Sequence, residues 1–166
     1  MNHETNTPSA QLTHVDSQGQ ANMVDVTDKQ ITARTATAEG YISMNTNALD
    51  AIINNTNKKG DVLATARIAG IQAAKKCAEL IPLCHPLMLS KVDVSFEVKP
   101  AQQQIKVISL CKLSGQTGVE MEALTAVSVA LLTLFDMCKA IDPMMIISDI
   151  AVLSKKGGKT GHWTRS

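Results

Sequence analysis

Asp136 and Lys139 stand three positions apart in the run Leu134-Phe135-Asp136-Met137-Cys138-Lys139, where charge is otherwise absent. On a helix that spacing makes them neighbours on one face. Two readings fit the pair. One is a surface ion pair worth about 0.2–0.5 kcal/mol. The other is an acid/base couple whose proton affinities are shifted by partial burial and by each other. The surroundings favour the second. The same helical face carries Glu122, Thr125, Val129 and Thr133, mostly short side chains, unlike the Glu/Lys/Gln cover of a solvated helix. It reads as the wall of a partly buried site. The opposite stripe, Leu124, Val127, Leu131, Leu134, Phe135, Cys138 and Ile141, reads as the core face.

Glu120-Met121-Glu122 follows Gly118 near the start of that helix. Acidic residues are favoured there by the helix dipole whatever their function. Glu122 and Asp136 are 14 positions apart, so about 21 Å of continuous helix separates them. If both serve one site, either two subunits contribute to it or the helix begins later than Met121. The first alternative predicts an oligomer.

His85 lies in Ile81-Pro82-Leu83-Cys84-His85-Pro86, a loop stiffened by two prolines, and fits a structural or a chemical role. Lys59-Gly60-Asp61 enters a helix N-terminus, where free N–H groups and a lysine make a phosphate seat. No G-x-x-x-x-G-K-[ST] run occurs to strengthen it. Lys75 flanks the same helix. Lys155-Lys156-Gly157-Gly158-Lys159-Thr160-Gly161 is a basic glycine loop, suited to an anion or simply to solvent.

These residues need a scaffold. The 166-residue chain has the size of one domain able to bury a core, with 45% apolar residues. No apolar run approaches the roughly 20 residues of a spanning helix. Met1 to Gln11 lacks the apolar centre of a signal peptide, which predicts a cytoplasmic protein. Cys77, Cys84, Cys111 and Cys138 form no C-x-x-C pair, so neither a zinc site nor a disulfide framework is expected. A net charge of +1 and 2% aromatic residues disfavour nucleic acid. Local basic loops on a nearly neutral protein suit a small anionic ligand.

Residues 1–11 read as a disordered tail, 12–161 as a single domain and 162–166 as a C-terminal tail. Ile31–Met44 reads as a strand and Asn47–Ile53 as a short helix. Asp61 N-caps a helix running to about Leu80, whose buried stripe includes Leu63, Gly70, Ala74 and Cys77. Lys91–Lys99 alternates apolar and polar residues, turns at Pro100–Gln103 and returns as Gln104–Leu113, a hairpin. The long helix spans Met121–Ile141 and Met144–Leu153 is a last strand. The implied fold is α+β with a mostly antiparallel sheet and long helices packed on one face.

Several stretches resemble the MoaC family: Met23-Val24-Asp25-Val26, Lys59-Gly60-Asp61-Val62 into Ala64–Lys75, Ile81–Leu87, Thr117–Thr125, Asp136–Ala140 and Gly157-Gly158-Lys159. The resemblance covers about Leu12 to Gly161. It implies a ferredoxin-like fold and a homohexamer built as a trimer of dimers, with active sites at subunit interfaces. It implies conversion of 3′,8-cyclo-7,8-dihydroguanosine triphosphate to cyclic pyranopterin monophosphate and diphosphate, in molybdenum cofactor biosynthesis. Asp136 and Lys139 match its catalytic positions. Leu83, Cys84, His85, Met121 and Glu122 match substrate-contacting segments, and Lys59, Lys75 and Lys155 match basic positions around the triphosphate. Asp25, Arg34 and Glu120 match further polar pocket positions. No cofactor, resident metal, nucleic acid or membrane partner is expected.

Overall fold

The computed structural model describes residues 15, 18–158 and 161–166, so the tail expected at 1–11 lies outside the described residues, as does Lys159. The elements are β1 (Thr32–Ser43), α1 (Thr46–Ile53), α2 (Val62–Lys75), α3 (Cys77–Leu80), β2 (Lys91–Lys99), β3 (Gln104–Gly115), α4 (Glu120–Cys138), β4 (Ile146–Lys156) and β5 (His162–Thr164). The strands form one sheet in the order β2-β3-β1-β4-β5, every neighbouring pair antiparallel. This is a ferredoxin-like α+β arrangement with its two long helices on one face.

Strand alternation decides which face is covered. Ala36, Ala38, Gly40 and Ile42 of β1 point to the helices together with Ile105, Val107, Ser109 and Cys111 of β3, all buried. β1 uses small residues there because α4 lies across it. A Cβ on Gly40 would sit 2.7 Å from Leu131 Cδ1 and 2.9 Å from Val127 Cγ1. The other face is polar, with Lys106 paired to Glu39 at 2.7 Å beside the Tyr41 ring.

α2 begins where its cap dictates. Asp61 accepts a hydrogen bond from Ala64 N at 2.9 Å. Ala66, Gly70, Ala73 and Ala74 let α2 press against α4. A Cβ on Gly70 would lie 2.8 Å from the Ala126 carbonyl oxygen. The single helix expected to Leu80 instead breaks at Lys76 (φ −107°, ψ 14°). The break carries Cys77 inward to Thr125 of α4, Sγ to Oγ1 3.5 Å.

α4 departs from expectation in two ways. An 18-residue stretch of this 19-residue helix has a mean hydropathy of 1.6, enough by length and composition to cross a membrane, contrary to the sequence-based expectation. The apolarity has a local cause: the sheet covers one side of α4 and α2 a second. For the same reason the core stripe is wider than a one-sided wheel predicts. Glu122 and Thr125 are buried, whereas Leu124 and Phe135 are half-buried and Ile141 is exposed beyond the helix end.

At the C-terminal end β4 reaches Lys156, three residues further than expected. It slips register against β1 twice, with Asp149 at φ 54° in the second slip. Residues 162–164, expected to begin a tail, pair with β4 as β5.

Candidate functional site

The residues singled out by type and spacing gather in two groups at opposite ends of α4. At the N-terminal end, Val24, Val26, Lys29, Leu83, Cys84, His85, Leu87, Thr117, Gly118, Glu120, Met121 and Glu122 line a cleft of about 370 Å³. At the C-terminal end, Asp136 is held between two lysines. Because α4 starts at Glu120, the idea of a later helix start is excluded. The groups stay about 21 Å apart along the axis.

The cleft is assembled from a loop, a helix start and a strap. The proline-stiffened loop brings in Leu83, Cys84 and His85. Residues 23–29 form the strap, and His85 fastens it: Nε2 lies 2.7 Å from the Val24 carbonyl oxygen. A carbonyl only accepts, so Nε2 carries the proton, and a neutral ring then presents Nδ1 as an acceptor. Gln116 Nε2 donates to Thr27 O at 3.1 Å, a second tether. Asp25 on the strap accepts from Thr27 Oγ1 at 2.6 Å and Thr27 N at 2.9 Å, which holds its carboxyl below the usual range. It is committed to its own turn and does not line the cleft.

Glu122 forms the floor, only 3% exposed, and burial raises its carboxyl above the ordinary value. Burial likewise raises the Cys84 thiol and pushes Cys77 up to about 12. Neither sulfur is a thiolate near neutral pH. Both lie as thiols beside the Glu122 carboxyl, with Cys77 also within hydrogen-bond reach of Thr125. Glu120, at the rim, is paired with Lys155 at 3.0 Å. Lys155 therefore extends from the end of β4 rather than from a free loop. Arg34 donates from Nε to Gly115 O and from Nη2 to Gln116 O, both 3.3 Å. Gly157 (φ 99°) and Gly158 (φ 79°) close against Arg34, and a side chain at Gly158 would run into its guanidinium. Arg34 and Lys155 thus buttress the cleft from behind. Lys75 lines a second, smaller cleft of about 200 Å³ that shares Leu87 and Glu122 with the first.

At the far end of α4, Lys139 Nζ donates to Asp136 Oδ1 at 2.7 Å. Lys59 Nζ donates to Asp136 Oδ2 at 3.2 Å and to the Asp136 carbonyl at 2.8 Å. Hydrogen bonds from Lys139 and then Lys59 hold the Asp136 carboxyl below its usual range. Two expectations change here. Lys59 does not serve the α2 N-terminus, where Asp61 already occupies the Ala64 N–H. And the couple is not shielded within one chain: the side chains of Asp136 and Lys139 are 59% and 54% exposed. The pair lies on the outward side of α4, while Leu134, Met137 and Cys138 on its inward side are buried.

The outward line of α4 joins the two groups. It runs Met121, Leu124, Ser128, Leu132, Asp136, Lys139, with Leu132 59% exposed. Ser128 turns its hydroxyl back to Leu124 O at 2.8 Å, which leaves the middle of the line weakly polar. Sequence reasoning missed Lys29 and Gln116. Lys29 sits in the polar run Thr27-Asp28-Lys29-Gln30, which signals only a turn. Among the described residues no three His, Cys, Asp or Glu side chains converge as a metal-ligand set. Chemically, then, one end offers an amine–carboxylate–amine relay for protons. The other offers a cleft with an imidazole ring and a carboxyl whose proton affinity burial raises.

Every residue in both groups, from Val24 to Lys155, falls within the span 23–158 matched by the MoaC family model in this 166-residue chain, and the chain belongs to that family.

Proposed function

We propose that this chain is the cyclic pyranopterin monophosphate synthase of molybdenum cofactor biosynthesis. It takes 3′,8-cyclo-7,8-dihydroguanosine triphosphate and releases diphosphate, as the family resemblance implies. The observation that carries the reading is the division of the site between the two ends of α4. A two-fold axis near Ser128, perpendicular to the helix, sets the cleft of one copy against the Lys59–Asp136–Lys139 group of the other. Such an isologous contact forms two composite sites at once. The outward line of α4 supports it, with Met121, Leu124 and Leu132 available to bury. Glu120, at the acidic start of α4, would also face the lysines at the partner's helix end. The family resemblance implies a homohexamer, which would be a trimer of such dimers.

The chemistry asks for what the residues supply. Opening the imidazole part of the purine and building the pterin move protons to and from nitrogen and oxygen. Asp136, kept ionised by two ammonium groups, accepts them, and Lys139, in direct contact, returns them. Glu122 in its neutral form is a donor and Nδ1 of His85 an acceptor on the other side of the substrate. Cyclising the phosphate while expelling diphosphate places charge on the leaving oxygens, which lysine ammonium groups stabilise. The substrate is a small molecule, no cofactor is invoked, and the setting is the cytoplasm.

Supplying the cyclised nucleotide precursor and following diphosphate together with an oxidisable pterin tests the proposal. Asp136→Ala and Lys139→Ala should each lose about 10²-fold or more in turnover while remaining folded. Wild-type rates in both variants would remove these residues from the mechanism. A non-catalytic nucleotide sensor built on the same lysines would bind the precursor and release nothing.

A further inference from the structure

We infer that Lys29, on the strap over the cleft, is a further substrate-binding residue that takes one of the phosphate groups, and that Gln116 positions it. The inference rests on the reading above, in which the cleft receives an anionic nucleotide.

The charge inventory of the cleft points to Lys29. The three lysines expected around the phosphates are differently placed. Lys59 is bound to Asp136, Lys155 is bound to Glu120, and Lys75 opens on the neighbouring cleft. Lys29 is the one lysine lining the larger cleft, and among the described residues no ion pair or side-chain hydrogen bond engages its ammonium group. A lysine already paired must give up one carboxylate before it gains a phosphate. A free ammonium exchanges only water, so it contributes more of its attraction to the complex.

Its placement is built rather than incidental. Lys29 N donates to Val26 O at 2.9 Å, closing the turn that aims the side chain. The turn is tethered on both sides of the cleft, by His85 Nε2 to Val24 O and by Gln116 Nε2 to Thr27 O. Gln116 in turn accepts from Arg34 at its own carbonyl, so the tether is anchored to β1. Gln116 itself does not line the cleft. It acts only through the strap.

The test compares wild type, Lys29→Ala, Lys29→Arg and Gln116→Ala in steady-state turnover of the precursor and in calorimetric binding of inorganic tripolyphosphate. Lys29→Ala should raise KM about tenfold with kcat within about twofold, because the lost contact holds bound substrate and transition state alike. Lys29→Arg should recover most of that loss. Gln116→Ala should raise KM in the same direction by a smaller factor, about threefold, with the fold intact. Tripolyphosphate binding should weaken in parallel. An unchanged KM and unchanged tripolyphosphate binding in Lys29→Ala overturns the inference and leaves the proposed activity standing. A wild type that releases no diphosphate overturns the activity instead. The tripolyphosphate comparison then decides Lys29 alone, and a wild type that binds no tripolyphosphate either counts against both.

Discussion

Two inactive variants with lesions at opposite ends of α4 should restore each other. His85→Ala disables the cleft end, and Asp136→Ala the ion-pair end, about 21 Å away along the helix. In a dimer with two composite sites, each site takes one end from each copy. A mixed dimer therefore holds one site with both lesions and one site with none. Random exchange of equal amounts makes half of the dimers mixed, and half of their sites are intact. Recovered activity should be about a quarter of wild type. The assay is diphosphate release after the variants are mixed, exchanged by mild dilution and reconcentrated, with subunit exchange verified by native mass spectrometry on a mass-tagged copy. Mixing Asp136→Ala with Lys139→Ala is the internal control, because both lesions lie at the same end and no intact site arises. No recovery in the first mixture, despite verified exchange, would refute the shared site. Recovery in the control would refute the assignment of Asp136 and Lys139 to one half.

Three further outcomes follow from particular contacts. Gly70→Ala should destabilise by about 1 kcal/mol in urea unfolding, because crowding of the Ala126 carbonyl, about 1–3 kcal/mol, outweighs a helix-propensity gain of about 1 kcal/mol; a stabilised variant would show that α2 and α4 are not in close contact. Asp142, buried and accepting from Asn45 N at 2.7 Å and Met144 N at 2.9 Å, should cost about 2 kcal/mol or more when changed to Ala, which leaves two N–H groups without a partner. Glu122 has a carboxyl raised by burial, so its neutral form suits the fold. Its contribution is complete below the ordinary carboxylate value of about 4.3 and is lost as pH rises through the higher folded value. Wild type should therefore lose stability relative to Glu122→Gln between acid and neutral pH, and a pH-independent difference between the two would contradict the burial.

What was legible in the sequence followed local rules. The alternation of Val92, Val94, Phe96 and Val98 gave β2, Pro100 gave the turn, and Asp61 gave the start of α2. The resemblance of whole stretches, rather than any single spacing, carried the fold family. Long-range consequences stayed hidden. A helical wheel for α4 presumes one covered side, and nothing local reveals that α2 covers a second, so Glu122 and Thr125 were placed opposite the core stripe, on the wall of a partly buried site, when they are buried. Lys59 reaches Asp136 across 77 positions, a contact no periodicity announces. Lys155 belongs to a strand because it pairs with Ala36 of β1 and Trp163 of β5, and β5 was read as a tail. Lys29 carried no motif at all. It mattered only once His85 and Gln116 had drawn its strap across the cleft.

The apolarity of α4 also bears on how the chain is made. A 19-residue helix holding an 18-residue stretch of mean hydropathy 1.6 is a hazard while it is unpartnered, for it can aggregate or be taken for a membrane anchor. Its place in the chain limits that exposure. β1, α2 and β3, which α4 packs against, precede it in sequence, whereas β4, which it also touches, follows, and domains synthesised from the N-terminus offer their early elements first. When α4 leaves the ribosome, most of the surface that will bury it has already been made, with β4 the part still to come.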